Sequence, residues 1–141
     1  ESIRGDMLSG NFRASGYLYN FLIEISAQKN NRRSPSTQNR AITLAVDHIN
    51  NRYTEKITMS ELCDAAGLSK QHLCRLFKKY LSSRPMEYVA KRRIQAAKEL
   101  LLSTDMSVEE IAERVGFCSG SYLCKLFCRY EGLTPSRFRS L

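Results

Sequence analysis

The sequence predicts an all-α protein: two copies of one small helical module, a long helix between them, and an extra amphipathic helix ahead of them. Three observations support this. Only three prolines and seven glycines occur in 141 residues, so few breakers interrupt the chain. Apolar residues recur at helical spacing along most of its length. A stretch in the middle of the chain is repeated, with the same helix punctuation, near the C-terminus.

Taken in order, residues 1–11 have no periodicity. From Phe12 to about Gln28, the residues Ala14, Tyr17, Leu18, Phe21, Leu22 and Ile25 recur at helical spacing, which predicts an amphipathic helix with a broad apolar face. Lys29 to Thr37 is polar, basic and broken by Pro35, and reads as a linker. A second helix is expected from about Thr37 to Arg52, with Ile42, Ala45, Val46 and Ile49 on one face. The chain is therefore divided into an N-terminal helix with its linker, 1–35, and a domain over 36–141 whose modules lie at about 58–81 and 107–131.

The repeat begins where Thr58–Gly67 matches Ser107–Gly116 at an offset of 49. After a one-residue insertion the offset becomes 50, pairing Leu73 with Leu123, Cys74 with Cys124, Leu76 with Leu126, Phe77 with Phe127, Tyr80 with Tyr130 and Pro85 with Pro135. Each copy opens on a capping box, Thr58 with Glu61 and Ser107 with Glu110. Each first helix stops at a glycine, Gly67 or Gly116, which permits the left-handed turn. New N-caps follow at Ser69 and Ser119. Helix, glycine turn and helix in this order make a helix-turn-helix unit.

On a helical wheel, Leu73, Leu76, Phe77 and Tyr80 share one face of the second helix and are expected in the core. Gln71, Cys74, Arg75 and Lys78 share the other. Amide and guanidinium groups opposite an apolar stripe suit the major groove, where Gln pairs with adenine edges and Arg or Lys with guanine edges. In copy two the core set is Leu123, Leu126, Phe127 and Tyr130, and the outer face holds Ser121, Cys124, Lys125 and Cys128. That face has fewer long polar groups, so shape-based readout is expected there. Between the copies, Pro85 suits the first turn of a helix running to about Leu102, with Met86, Val89, Ile94, Ala97 and Leu101 as buried candidates. About 17 residues make a strut of roughly 25 Å, fit to hold two readers near one DNA turn apart, roughly 34 Å.

Charge agrees with this reading. Lys and Arg number 22 against 14 Asp and Glu, a formal net charge of +8 and a pI near 9.4, which favours a polyanionic partner. Apolar residues at 43% exclude wholesale disorder. No apolar stretch approaches the ~20 residues of a membrane span, so a soluble protein without a membrane partner is expected. A chain that starts at Glu1 and lacks a secretory pattern is expected to be a piece of a longer one. Five cysteines, an odd number, point to free thiols in a reducing compartment.

Gly67 to Lys79, Ile111 to Phe117, Ser121 to Phe127 and Gly132 to Arg139 together resemble the AraC/XylS family of bacterial transcription regulators, over about residues 40–141. The resemblance implies two helix-turn-helix units on adjacent major-groove segments of promoter DNA, and activation through contact with RNA polymerase. It places base-reading positions at Gln71, Cys74 and Arg75 in copy one, and at Gly120, Ser121, Cys124 and Lys125 in copy two. The sequence departs from the pattern by a cysteine at the same place in both copies and by Gly120, which has no side chain. Phosphate contacts, read from the residues themselves, are expected at Lys70, Lys78, Lys79 and Arg129 and at the helix starts Thr58, Ser69, Ser107 and Ser119. The resemblance further implies a preceding domain that senses a small-molecule effector and supports a homodimer, with helix 12–28 as its tail, and a bacterial cytoplasmic setting.

Rival chemistry is less well supported by the residues. No CxxC pair exists, so no metal is expected, and no cofactor is called for. Cys63 faces Ala112 in the repeat and is read as packing. His48 and His72 are isolated, and no nucleophile–base constellation appears, so an enzyme is not expected. A DNA-alkyl transfer enzyme would need a zinc-bound thiolate for which the ligand cluster is missing. The alternatives to a plain regulator are a protein-interaction module using helix 12–28, or thiol-based redox sensing at Cys74 and Cys124, fused to the DNA-binding unit.

Overall fold

The computed structural model describes residues 37–141, and the amphipathic helix and linker expected over 12–37 lie outside the described residues up to Thr37. Seven helices follow in the described residues: α1 Thr37–Arg52, α2 Met59–Ala66, α3 Lys70–Leu81, α4 Pro85–Ser103, α5 Val108–Val115, α6 Gly120–Glu131 and α7 Pro135–Arg139. Both modules have the expected punctuation. Thr58 caps α2 and Ser107 caps α5, each in a complete capping box. Gly67 and Gly116 stop these helices in the left-handed region, at φ 66° and 95°. Ser69 and Ser119 accept from the backbone N–H of His72 and Tyr122. Module one ends on Ser82, which takes the left-handed conformation (φ 50°) that module two gives to Gly132.

The central helix organises the domain. It packs against α2 and α3 on one side and against α5, α6 and α7 on the other. At 19 residues it ends one residue beyond the expected Leu102 and spans roughly 28 Å. Ile94, Ala97 and Leu101 from it join Ile111, Val115, Phe117, Leu123, Leu126 and Phe127 in one apolar cluster, with Tyr130 and Phe138 packed on its edge. Phe127 and Phe138 meet edge to face at 5.4 Å, which fixes α7 on α6. Arg139 strengthens this closure by donating to the backbone carbonyls of Leu101, near the end of α4, and Met106, in the connection that follows. Lys98 of α4 pairs with Glu131 at the end of α6 at 3.0 Å, both side chains nearly buried.

Two expected core residues are exposed. Tyr80 is 40% accessible, and Lys79 lies over its ring at 5.1 Å. Its repeat partner Tyr130 has the second core to pack on. Met86 is 42% accessible because it sits in the first turn of α4, where the helix has only begun to meet its neighbours.

The two modules are tied together by the segment after α1. Arg93 of α4 donates to the carbonyls of Tyr53 at 2.7 Å and Glu55 at 2.8 Å. Arg92 stacks on the Tyr53 ring at 4.4 Å. The same stretch passes over the turn of module two, so close that a Cβ at Gly116 would lie 2.7 Å from the Thr54 carbonyl oxygen and 2.9 Å from that of Tyr53. Gly116 is thus required twice, for its backbone angle and for its missing side chain.

Candidate nucleic-acid interface

Helix α3 buries Leu73, Leu76, Phe77 and Leu81 and turns its opposite face outward. Gln71, Arg75 and Lys78 are exposed on that face, with Cys74 half-buried between them. Arg75, Lys78 and Lys79 line one shallow cleft with Cys74. A fourth cation, Arg84, lines the same cleft, and sequence reasoning did not single it out. Arg84 precedes Pro85, which holds it in extended backbone (φ −80°, ψ 156°) ahead of α4. The available signal was this Arg-Pro step: a chain that must reverse between two helices returns the residue before the proline toward the first of them.

The start of α3 has no acidic residue in its first turn, and Lys70 stands exposed at its first position. Its orphan N–H groups and positive dipole end face solvent beside a cation, a setting that attracts anions. Two of the four helix starts proposed for phosphate are different. At Thr58 the backbone N–H donates to the Glu61 carboxylate at 2.8 Å, and at Ser107 to Glu110 at 2.7 Å. These backbone bonds hold both carboxyls below the usual carboxylate range, so each start already has an anion of its own. Arg84 makes the equivalent bond to Glu87 at 2.9 Å at the start of α4.

Module two offers a different surface. Ser121 and Lys125 are exposed on α6, and Arg129 is exposed near its end. Cys124 is half-buried, and desolvation pushes its thiol up, with the charges of Cys128 and Glu109 adding to the effect. Gly120 is buried, and its N–H donates to Glu109 at 2.8 Å. Among the positions expected from the resemblance to read bases, it is the one the fold withdraws from the surface. Burial likewise pushes the Cys63 thiol up, in keeping with a packing role. Among the described residues no group of His, Cys, Asp and Glu is arranged to hold a metal ion. No described helix is long and apolar enough to cross a membrane.

Of the eight Lys and Arg between Ser69 and Arg93, Arg93 is held by backbone carbonyls and Arg92 by an aromatic ring. The fold therefore uses two of the eight cations of this region to hold the modules together.

Residues 62–140 match the family described as helix-turn-helix domain. The chain is 35% identical over 100 residues to the bifunctional transcriptional activator/DNA repair enzyme AdaA of Bacillus subtilis, covering 71% of this chain and 47% of that protein. It thus spans under half the length of this curated relative. Among solved structures it is similar to a transcriptional regulator with an AraC-type DNA-binding domain from Chromobacterium violaceum, at a TM-score of 0.68 and 27% identity, covering 75% of this chain and 95% of that one. It is also similar to the DNA-binding domain of the global transcriptional factor AdpA in complex with a target DNA, at a TM-score of 0.67 and 28% identity over 70% of this chain and 89% of that one. With two capped helix-turn-helix units on one central helix, and with these matches over both of them, the chain belongs to the AraC-type helix-turn-helix family of transcriptional regulators.

Proposed function

We propose that this chain is the double-stranded-DNA-binding unit of a transcription regulator, and that it reads two successive major-groove segments of a promoter. The observation that bears most weight is the cationic face of α3, where Arg75, Lys78, Lys79 and Arg84 surround one cleft above a fully apolar stripe. AdpA's similar domain is complexed with its target DNA, which supports the same use here. In this reading Gln71 and Arg75 address base edges, and Lys70, Lys78, Lys79 and Arg84 hold phosphates. Ser121, Lys125 and Arg129 serve module two, with Cys124 in apolar contact. The chemistry is binding, not catalysis, and calls for no cofactor. In the whole protein, RNA polymerase is the partner for activation. A separate sensor domain supplies effector response and a homodimer, and the setting is the bacterial cytoplasm.

The test is equilibrium binding to duplexes selected from a random pool, followed across salt concentration. With Arg92 and Arg93 engaged internally, about six cations remain in the Ser69–Arg93 region, and the log–log slope is expected near −5. A slope near zero, or no selected sequence, would overturn the proposal.

A further inference from the structure

We infer that Glu109 is a built-in anion that closes the start of the second recognition helix to a DNA phosphate, and so makes module two the weaker phosphate binder of the pair. The inference rests on the DNA-binding reading above. It begins with the repeat. Glu109 and Gly120 correspond to Ser60 and Lys70 in module one. At the start of α3 the pair is neutral and cationic, and at the start of α6 it is anionic and neutral. The two helix starts therefore differ by two charge units at matching positions.

The geometry shows that this difference is built into the fold. Glu110, the third residue of α5, caps its own helix through Ser107. Glu109, beside it, instead reaches across the turn and accepts from the Gly120 N–H at 2.8 Å, the first backbone donor of α6. Gly120 is buried, and a Cβ placed there would lie 2.3 Å from that carboxylate oxygen. Only glycine leaves room for the contact. Gly120 thus has a role although it presents no side chain: it admits the carboxylate. The same carboxylate helps to push the Cys124 thiol up, which places its negative charge beside the groove-facing position of α6.

A helix start attracts anions through its free N–H groups and its dipole. A carboxylate already seated there removes one donor and repels the next anion. A phosphate approaching module two must displace Glu109 or pass it by, whereas at module one it meets Lys70.

The experiment compares Glu109→Gln with Glu113→Gln in the full chain. Glutamine keeps an oxygen that accepts from Gly120, so the fold is retained and the melting temperature stays within a few degrees. Glu113 is exposed on the same helix and has no contact with Gly120, so it controls for net charge. Glu109→Gln is expected to raise duplex affinity about three- to tenfold and to steepen the salt slope by about one. Ethylation interference should gain a phosphate at one half-site only. Glu113→Gln should change affinity less than twofold. Glu109→Ala, which cannot reach Gly120 at all, should reproduce the gain. If the wild type binds duplex while the Glu109 and Glu113 variants behave alike, this inference fails alone. If the wild type retards no duplex, the DNA-binding reading fails and takes this inference with it.

Discussion

Replacing Gly67 and Gly116 by alanine, one at a time, separates two reasons for a glycine at the same turn. Both have positive φ, 66° and 95°, so each alanine suffers left-handed strain of roughly 1–2 kcal/mol. Around Gly67 nothing lies within 4 Å of an added Cβ, so strain is the whole cost. At Gly116 the Cβ would stand 2.7 Å and 2.9 Å from two backbone carbonyl oxygens. Backbone does not swing aside as a side chain does, and one of these carbonyls, that of Tyr53, also accepts from Arg93. Overpacking of this kind adds about 1–3 kcal/mol. Gly67→Ala should therefore cost about 1–2 kcal/mol and Gly116→Ala about 2–5. For a domain of this size a gap near 2 kcal/mol separates the melting temperatures by about 10 °C. Urea and thermal unfolding, followed by far-ultraviolet circular dichroism, read both quantities. Equal losses at the two positions would refute the close approach of residues 53–54 to the turn of module two.

Two further predictions follow from the interface and the caps. Arg75→Ala should cost about 1–3 kcal/mol on a selected duplex and relax preference at one base pair, whereas Lys79→Ala should weaken selected and random duplex alike; equal behaviour in a competition assay would mean that the groove-facing side is wrongly placed. The carboxyls of Glu61, Glu87 and Glu110 are lowered mainly by backbone N–H bonds, so their contribution to stability is present above the unfolded carboxyl pKa, about 4.3, and is lost as pH falls through the lower folded values. The triple Glu→Gln variant should accordingly lose less stability than the wild type between about pH 5 and pH 3 in urea titrations; parallel curves would sink the argument.

The caps were legible in the sequence because their chemistry is local. Thr58 and Glu61, or Ser107 and Glu110, are three residues apart and find each other in any helix that starts there. Gly67 and Gly116 were legible for the same reason. Tyr80 was not, because helical phase places it on the core-facing arc without saying whether a neighbour covers that end of the arc. The role of Arg93 was not legible either, because nothing near it in sequence reveals an acceptor; its partners lie 38 and 40 residues away. Glu109 escaped notice behind Glu110, whose capping role fits the local motif, while its own partner lies 11 residues away across a turn. Arg84 belongs to the same class, since its cleft exists only once α3 and α4 are folded back on each other.

The contact between Arg93, Gly116 and the segment after α1 also bears on how such a domain can change over evolutionary time. The acceptors of Arg93 are main-chain carbonyls, which every amino acid supplies, so residues 54 and 55 can vary as long as their backbone path is kept, while Tyr53 must also keep the ring on which Arg92 stacks. The guanidinium at 93, the bare backbone at 116 and the stacked pair of Arg92 and Tyr53 are the exacting parts. None of these lies on the outward faces of α3 and α6, so the surfaces that meet a ligand can be rewritten without loosening the frame that spaces them. A change of target site then needs only exposed side chains. A change of spacing between the two halves of a site would require rebuilding the joint itself.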